Sequence, residues 1–439
     1  MNKAVFKILL FIIFLQVQTY CFAQGSWEQI EVPTQQFLRS VYFTDSLTGW
    51  AVGDSGIIVH TMDGGGNWMI QESNTANDIV DVFFLNSQLG WASSFNYSTP
   101  PYGTLLLKTT NGGIDWIGET YPVENIFMTC IFFLDSLVGW MGGIPHALVS
   151  TSDGGNLWQQ AEVDTSTLAF FPVLDIKFYN EQYGYACGGM FDIAGVTWHT
   201  NNGGEKWYAI DASDAPADEV HNLYIFDSLR VIGAGGDPDF GYGVGLIRTF
   251  DGGPNWEYEE LGMQGIAYDI DFVNDTEAWA PLGPQRKFIY SVDSGSTWLE
   301  IPTPESTAIY DITFTDSLHG FAVGSEGAVL KFKPATPVGV ENNNEFLKEI
   351  ILHQNFPNPF KDNTTISFSI INDHYINHPM QLTIFDIYGV KVTSLIPQKI
   401  ILGKNTITFN VAGFPNGIYY YQLSVGEKIV GTKQLVLMR

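Results

Sequence analysis

An all-β architecture, a seven-bladed β-propeller followed by a small Ig-like β-sandwich, is predicted by three observations. First, the phrase Ser/Thr-x-Asp/Asn-x-Gly-x-x-Trp occurs six times, at Thr61–Trp68, Thr109–Trp116, Thr151–Trp158, Thr200–Trp207, Thr249–Trp256 and Ser291–Trp298, with successive tryptophans 48, 42, 49, 49 and 42 residues apart. A repeat of roughly 40–50 residues with strand-like content is the period of a propeller blade. Second, another phrase alternates with the first. It starts at Phe43, Phe84, Phe133, Phe178, Ile225, Phe272 and Phe314, reaches an Asp or Asn two residues on, and a large apolar residue five further: Trp50, Trp91, Trp140, Tyr185, Ile232, Trp279 and Phe321. An apolar run, a polar turn and a second apolar run read as a hairpin. Third, aromatic residues make up 14% of the 439-residue chain and charged residues only 15%, which suits many short buried strands better than amphipathic helices.

Along the chain, Lys3 and Lys7 precede an apolar core, Ile8 to Val17, and small Ala23. Residues 1–23 therefore read as a signal peptide; the apolar core is shorter than the roughly 20 residues of a stable membrane span. Residues 24–333 hold the repeats. Seven inner hairpins are matched by only six Trp phrases, and the missing outer strand lies at the start, where Ser26-Trp27-Glu28 resembles Asn67-Trp68-Met69. Trp27 is thus the seventh tryptophan of the set, and the N-terminal strand is expected to complete the last blade and close the ring, leaving no sheet edge to recruit other chains. Residues 334–349 form a linker rich in Pro and Asn. Residues 350–439 alternate apolar and polar positions with turns at Asp386–Gly389 and Pro415–Gly417, as a small sandwich does.

Each Trp phrase is a self-contained corner. Its acidic or amide residue (Asp63, Asn111, Asp153, Asn202, Asp251, Asp293) bonds backbone two residues on. Gly supplies positive φ, and Trp (Trp68, Trp116, Trp158, Trp207, Trp256, Trp298) buries a large ring. These phrases resemble the Asp-box, or BNR, repeat of sialidases, sortilin-type receptors and photosystem II assembly-factor propellers. That resemblance implies a structural role for the boxes, joining the outer two strands of each blade, and not a metal-binding or catalytic one. Leu352-His353-Gln354-Asn355-Phe356-Pro357-Asn358-Pro359-Phe360, Leu382 to Gly389, Phe414 to Tyr421 and the ending Thr432 to Arg439 resemble, in this order, the type A C-terminal sorting domain of the type IX secretion system. The resemblance implies the type IX machinery as a partner, export through the periplasm and outer membrane of a Bacteroidetes-type Gram-negative bacterium, and a final state secreted or at the cell surface.

Formal net charge is −27. From Val340 onward acids and bases nearly balance, so the negative charge falls on the repeats. Such a surface repels phosphate backbones and anionic lipid, which argues against nucleic acid as a partner. Cys130 and Cys187 are flanked by apolar residues and read as buried free thiols, with a disulfide between them the other possibility in an oxidising compartment. No zinc or redox spacing is present, and neither a metal nor a cofactor is expected.

A sialidase needs three arginines converging on a carboxylate. The repeats hold four: Arg39, which begins an inner strand and faces the expected channel mouth, Arg230, Arg248 and Arg286. These do not converge on one mouth. A Ser/His/Asp order, an HExxH motif and a Gly-rich phosphate loop are absent. Ligands of propellers bind at the channel mouth and at the loops that join second to third strands. Three such loops carry aromatics beside acids: Phe95, Tyr97 and Tyr102 in the first; Phe191 in the second; Asp237, Asp239, Phe240 and Tyr242 in the third. These are the candidate ligand-binding residues, suited to a sugar ring or a peptide. The sequence thus points to an exported, non-catalytic recognition module for an extracellular glycan or protein. A glycoside hydrolase using a carboxylate pair and a surface scaffold without a small ligand are the two alternatives.

Overall fold

The computed structural model describes residues 25–438 apart from 165–169, 191–192, 212–218, 238–242, 335–349, 377, 387–390, 398, 412 and 427. The chain divides into two compact units, one ending at residue 335 and the next beginning at 336. Among the described residues, the first unit holds seven four-stranded antiparallel sheets, the blades of a propeller. Blade 1 runs Leu38–Phe43, Gly49–Gly53, Ile58–Thr61 and Met69–Gln71. Blades 2 to 6 repeat this order, with first strands Asp78–Phe84, Phe127–Phe133, Val173–Phe178, Val220–Ile225 and Asp271–Phe272. Blade 7 takes Ile309–Asp316, His319–Gly324 and Val329–Lys333 from one end of the repeats and Ser26–Ile30 from the other.

The two sequence phrases meet in one packing unit. The Phe that ends a first strand lies between the second-strand aromatic of the preceding blade, stacked on its face, and the box Trp of its own blade, set edge-on. Phe84 lies 3.5 Å from Trp50 at 10° and 5.7 Å from Trp116 at 86°. Phe133 does the same with Trp91 (3.6 Å) and Trp158 (5.9 Å), Phe178 with Trp140 (4.1 Å) and Trp207 (5.6 Å), and Phe43 with Phe321 (4.0 Å) and Trp68 (6.0 Å). Stacked and edge-on pairs are both favourable ring geometries, so the blades are joined by a chain of ring contacts. In five blades the glycine before the second-strand aromatic (Gly49, Gly90, Gly139, Gly184 and Gly320) admits its own blade's Phe: a Cβ on Gly139 would lie 2.6 Å from the Phe133 ring.

The boxes have one geometry throughout. In the first, Thr61 donates to Asp63 Oδ1 at 3.0 Å and accepts from Gly65 N at 3.0 Å, while Asn67 N donates to Asp63 Oδ1 at 2.8 Å. The same three contacts recur around Asn111, Asn202, Asp251 and Asp293, and around Asp153. Each box also leans on the preceding blade. Gly204 has φ +76, and a Cβ there would lie 2.7 Å from the Trp140 indole, so both backbone and space demand glycine. At three joints a basic residue of the third strand ties the same contact: Lys108 Nζ donates to Gly154 O at 2.7 Å, Arg248 to Gly295 O at 2.6 Å and Lys331 Nζ to Gly64 O at 2.6 Å. Box turns and inner-hairpin turns share one face of the ring, as Gly64 N donating to Leu47 O at 2.8 Å shows.

The second unit is a sandwich of a three-stranded sheet (Ile350–Leu352, Asn363–Ile370, Gly403–Asn410) and a four-stranded one (Lys391–Leu395, Met380–Asp386, Gly417–Val425, Lys428–Leu437) around one apolar core. The Asn355-to-Phe360 segment straps across it. Asn355 N donates to the Tyr421 hydroxyl at 2.8 Å, which itself donates to His353 O, and Val436 N donates to Asn358 Oδ1 at 2.8 Å. Phe360 is buried, whereas Phe356 is 81% exposed.

Closure of the ring uses the same ring-packing unit with parts from both ends. Ser26–Ile30 pairs antiparallel with Val329–Lys333, Trp27 opposite Phe332. Trp27 contacts Phe314 at 5.6 Å, Phe288 at 5.4 Å and Trp279 at 5.9 Å. Truncating Trp27, which is half-buried against the core of the closing blade, therefore strips that core of a cover. Trp27→Ala is expected to cost the propeller about 2 kcal/mol, less than a fully buried aromatic, with Trp27→Phe milder. Chemical denaturation checks this; a loss under about 0.5 kcal/mol would mean the first strand does not lock the ring.

Candidate functional site

The first strands of all seven blades enclose a central cavity of about 390 Å³. Three residues before Phe43, Phe84, Phe133, Phe178, Ile225, Phe272 and Phe314, the positions are Ser40, Asp81, Cys130, Asp175, Asn222, Asp269 and Asp311, all lining this cavity. The four carboxylates here are latches between blades. Asp81 Oδ2 accepts from Ile131 N of the next blade at 2.8 Å, Asp175 from Leu223 N at 3.1 Å, Asp269 from Ile312 N at 2.8 Å, and Asp311 from Val41 N at 2.6 Å, across the closing seam. Asp271, two residues past Asp269, adds a fifth latch to Phe314 N at 2.7 Å. Sequence reading missed this set, although its signal was present as Asp-Val/Ile-x-Phe at Asp81, Asp175, Asp269 and Asp311.

Burial dominates the acid–base behaviour of the cavity. It pushes Asp81 up to about 6 against its hydrogen bonds from Ile131 N and Ser40, and Asp271 up to about 7 against the pull of Lys177. Asp175 is raised by the same cause. Asp311 is raised well above the carboxylate range by burial, by the Asp269 charge and by a hydrogen bond from the same neighbour. Burial alone would lower Lys177, but Asp175, Asp269 and Asp271 outweigh it and hold the ammonium above its ordinary range. Lys177 Nζ donates to Asn222 Oδ1 at 2.8 Å and to Leu223 O at 2.6 Å. Cys130 and Cys187 are buried free thiols, both pushed up by burial. Among the described residues, no group of three or more His, Cys, Asp or Glu side chains is arranged to hold a metal ion.

The mouth of the cavity is shaped by β-bulges. In six blades the pairing of first and second strands slips by one residue immediately before the latch position. A bulge re-aims the extra residue, here Arg39, Val80, Thr129, Leu174, His221 and Tyr310; Tyr268 holds the same place in blade 6. Four of these, with Phe37, form a continuous crescent over four consecutive blades. His221 lies 5.3 Å from Tyr268, Tyr268 4.9 Å from Tyr310, and Tyr310 4.9 Å from Phe37, over which the Arg39 guanidinium sits at 4.9 Å. Arg39 is fixed by Asp54 at 2.5 Å and Asp78 at 3.7 Å. Burial pushes His221 down to about 4, so its imidazole is neutral.

Of the residues singled out from sequence, Tyr97 is 58% exposed and stacks on Phe127 at 4.6 Å, close enough to Arg39 and Asp78 for their charges to act on its hydroxyl; it extends the crescent. Phe95 is half-buried, packed on Tyr97 and Phe127. Tyr102 is 41% exposed. Asp237 is a correction: it pairs with Gly243 inside the sheet of blade 5 and is only 2% exposed, so it is not a surface acid. Phe191, Asp239, Phe240 and Tyr242 lie outside the described residues. Phe37, His221, Tyr268 and Tyr310 were not found from sequence because their grouping depends on blades 40 to 50 residues apart being neighbours.

Fold and corners define a seven-bladed propeller of BNR-repeat type with a secretion sorting domain. Comparison with known families agrees: residues 20–120 and 115–224 match the model for photosynthesis system II assembly factor YCF48, and residues 354–438 that for a secretion system C-terminal sorting domain. The chain is similar to the photosystem II assembly lipoprotein Ycf48 of Synechococcus sp. (strain CC9902), at 24% identity over 71% of this chain and 89% of that one. It is also similar to the Nostoc sp. (strain PCC 7120) protein of the same name, at 26% identity over 70% and 87%. Among solved structures, YCF48 bound to D1 peptide aligns with TM-score 0.55 and 21% identity over 70% of this chain and 96% of that one. A streptogramin B lyase aligns with TM-score 0.54 and 12% identity over 71% and 98%. At such identities structural likeness speaks for the fold, which hosts unrelated functions. The sorting domain marks the chain for export by type IX secretion to the cell surface or medium, and no helix of the described residues is long and apolar enough to cross a membrane.

The raised carboxylates fix a pH response. Asp81 and Asp271 titrate near 6 and 7 when folded and near 3.8 otherwise. The folded form thus binds more protons, and its stability falls as pH rises from about 4 through 7. Asp271→Asn should be less stable than wild type at pH 5, having lost one acceptor, yet flatter between pH 5 and 8. Denaturation midpoints across that range check this; an unchanged slope would remove Asp271 from the titrating set.

Proposed function

We propose that this protein is an exported recognition module that binds an extended peptide segment of an extracellular protein at the mouth of its propeller, without transforming it. The observation that carries this reading is the crescent of His221, Tyr268, Tyr310, Phe37 and Arg39. Rigid rings with polar tips supply contact area at low entropic cost, the composition of many binding hot spots. A peptide is favoured over a glycan because one solved propeller of similar fold is YCF48 bound to D1 peptide. The net charge of −27 favours neutral or basic segments.

The reading as a binder, not an enzyme, rests on how the cavity uses its acids. Asp81, Asp175, Asp269, Asp271 and Asp311 each accept a backbone N–H of the neighbouring blade. A general acid or base needs reach to a substrate proton, and these groups are committed to holding strands together. The similar proteins from Synechococcus and Nostoc are assembly lipoproteins, which accords with binding. The signal peptide over residues 1–23 and passage through the periplasm belong to the same proposal, with residues 334–349 as the linker between propeller and sorting domain.

Two outcomes test this. A phage-displayed peptide library panned on the mature protein should enrich a sequence family that Tyr268→Ala/Tyr310→Ala no longer captures, at least tenfold weaker with an unchanged melting temperature. Equal capture by the variant, or enrichment on a glycan array in place of peptides, would contradict the proposal. Removing residues 430–439, which supply most of the last strand with core residues Leu435 and Leu437, should leave the protein in the periplasm; undiminished surface or medium levels by fractionation and immunoblot would contradict export through this domain.

A further inference from the structure

At six of the seven joints between blades the second strand provides an aromatic ring: Trp50, Trp91, Trp140, Tyr185, Trp279 and Phe321. At the joint between blades 5 and 6 that position is Ile232. A groove of about 420 Å³ opens there on the box-turn face, lined by Phe226, Arg230, Ile232, Arg248, Phe250 and Ser296 among others. The grooves at the joints of blades 2 with 3 and 3 with 4 hold about 360 and 220 Å³, but an indole, Trp91 or Trp140, forms a wall of each. The blade 5 groove has no second-strand ring: Tyr224 and Phe226 pack on Phe272 at 4.4 and 4.7 Å from one side, and the space above Ile232 stays open.

The cation above the groove has no ring beneath it at this position. Lys108 and Lys331 occupy the third-strand position equivalent to Arg248, and each lies over its blade's aromatic, Lys108 5.6 Å from Trp91 and Lys331 5.9 Å from Phe321. Arg248 bridges to Gly295 O and Glu259 as those lysines bridge to the next box, yet below it stands Ile232. Arg230 lines the same groove; it engages Asp227 through Nε at 2.7 Å and lies over the Phe226 ring at 5.6 Å. Phe250 at its rim is 59% exposed. The Arg248 guanidinium, an apolar floor and the exposed Phe250 ring complement the electron-rich face of an aromatic side chain. The charge of Asp275, also in the lining, disfavours an anionic occupant.

We propose that this groove is a second docking site, separate from the channel mouth, which takes an aromatic side chain of a partner protein and so restores in trans the ring that Ile232 omits. It is independent of the mouth reading, being on the opposite face and built from other residues.

Saturation-transfer NMR with N-acetyltryptophanamide on the full mature protein tests it. Transfer is expected with wild type, undiminished with Tyr268→Ala/Tyr310→Ala, and reduced at least fivefold with Ile232→Trp, which fills the groove from within. Phe250→Ala, a surface change, should weaken it as well and decides the matter if Ile232→Trp does not fold. No transfer with wild type, equal transfer in Phe250→Ala and every folded groove variant, loss in the mouth variant alone, or saturation of methyl glucopyranoside in place of the indole would each overturn the proposal.

Discussion

The contact on which the structure depends is the phenylalanine that closes a first strand, held between a ring from the blade before and a ring from its own corner. Each blade alone is a four-stranded sheet with two apolar faces, too small to bury either. Stacking Phe84 on Trp50 and Phe133 on Trp91 turns blades into mutual cores, as repeat architectures require. The box glycines, the glycine before five of the second-strand aromatics and the basic residues that reach the next box are consequences of that packing. Because the ring of blades is closed, one blade must be made from the two ends of the sequence, and the Trp27 strand completes it.

Inside the ring of rings lies a ring of polar latches. Burying carboxylates is costly unless they are hydrogen-bonded, and here the backbone N–H groups of adjacent blades supply the bonds. The cost is reflected in proton affinities raised at Asp81, Asp271 and Asp311. The bulges that place the latches also turn the preceding residue toward the mouth. The device that holds blades together therefore presents Tyr310 and Arg39 at the rim, where Tyr268 joins them and the buried His221 backs the row.

Much of this was legible in the sequence. The spacing of Trp68 to Trp298, the surplus of one inner hairpin and the stray Trp27 together specify seven blades and a strand borrowed from the N-terminus. The motifs from Asn355 to Arg439 specify the second unit. The crescent was not legible, since a propeller brings residues one period apart to one rim and periodicity is silent about which of them face it. The latch aspartates were visible as a repeated Asp-Val/Ile-x-Phe but looked like ordinary charges on a very acidic chain. Asp237 looked like a loop acid because it falls between Gly236 and Gly245, whereas the strand Val231–Asp237 runs through it. Ile232 was seen as one more apolar residue; only the neighbouring joints show that a ring belongs there.

Native-state hydrogen exchange of the amides that the latches bind tests most directly whether the ring is one cooperative object. Val41, Ile131, Leu223 and Ile312 sit in four different blades and each donates across a joint. If the joints hold the molecule, these four amides exchange only through one global opening, with the same protection and the same denaturant dependence. Protection that differs from blade to blade, with Val41 at the closing seam exchanging orders of magnitude ahead of Leu223, would contradict a closed ring and with it the surface built on its rim.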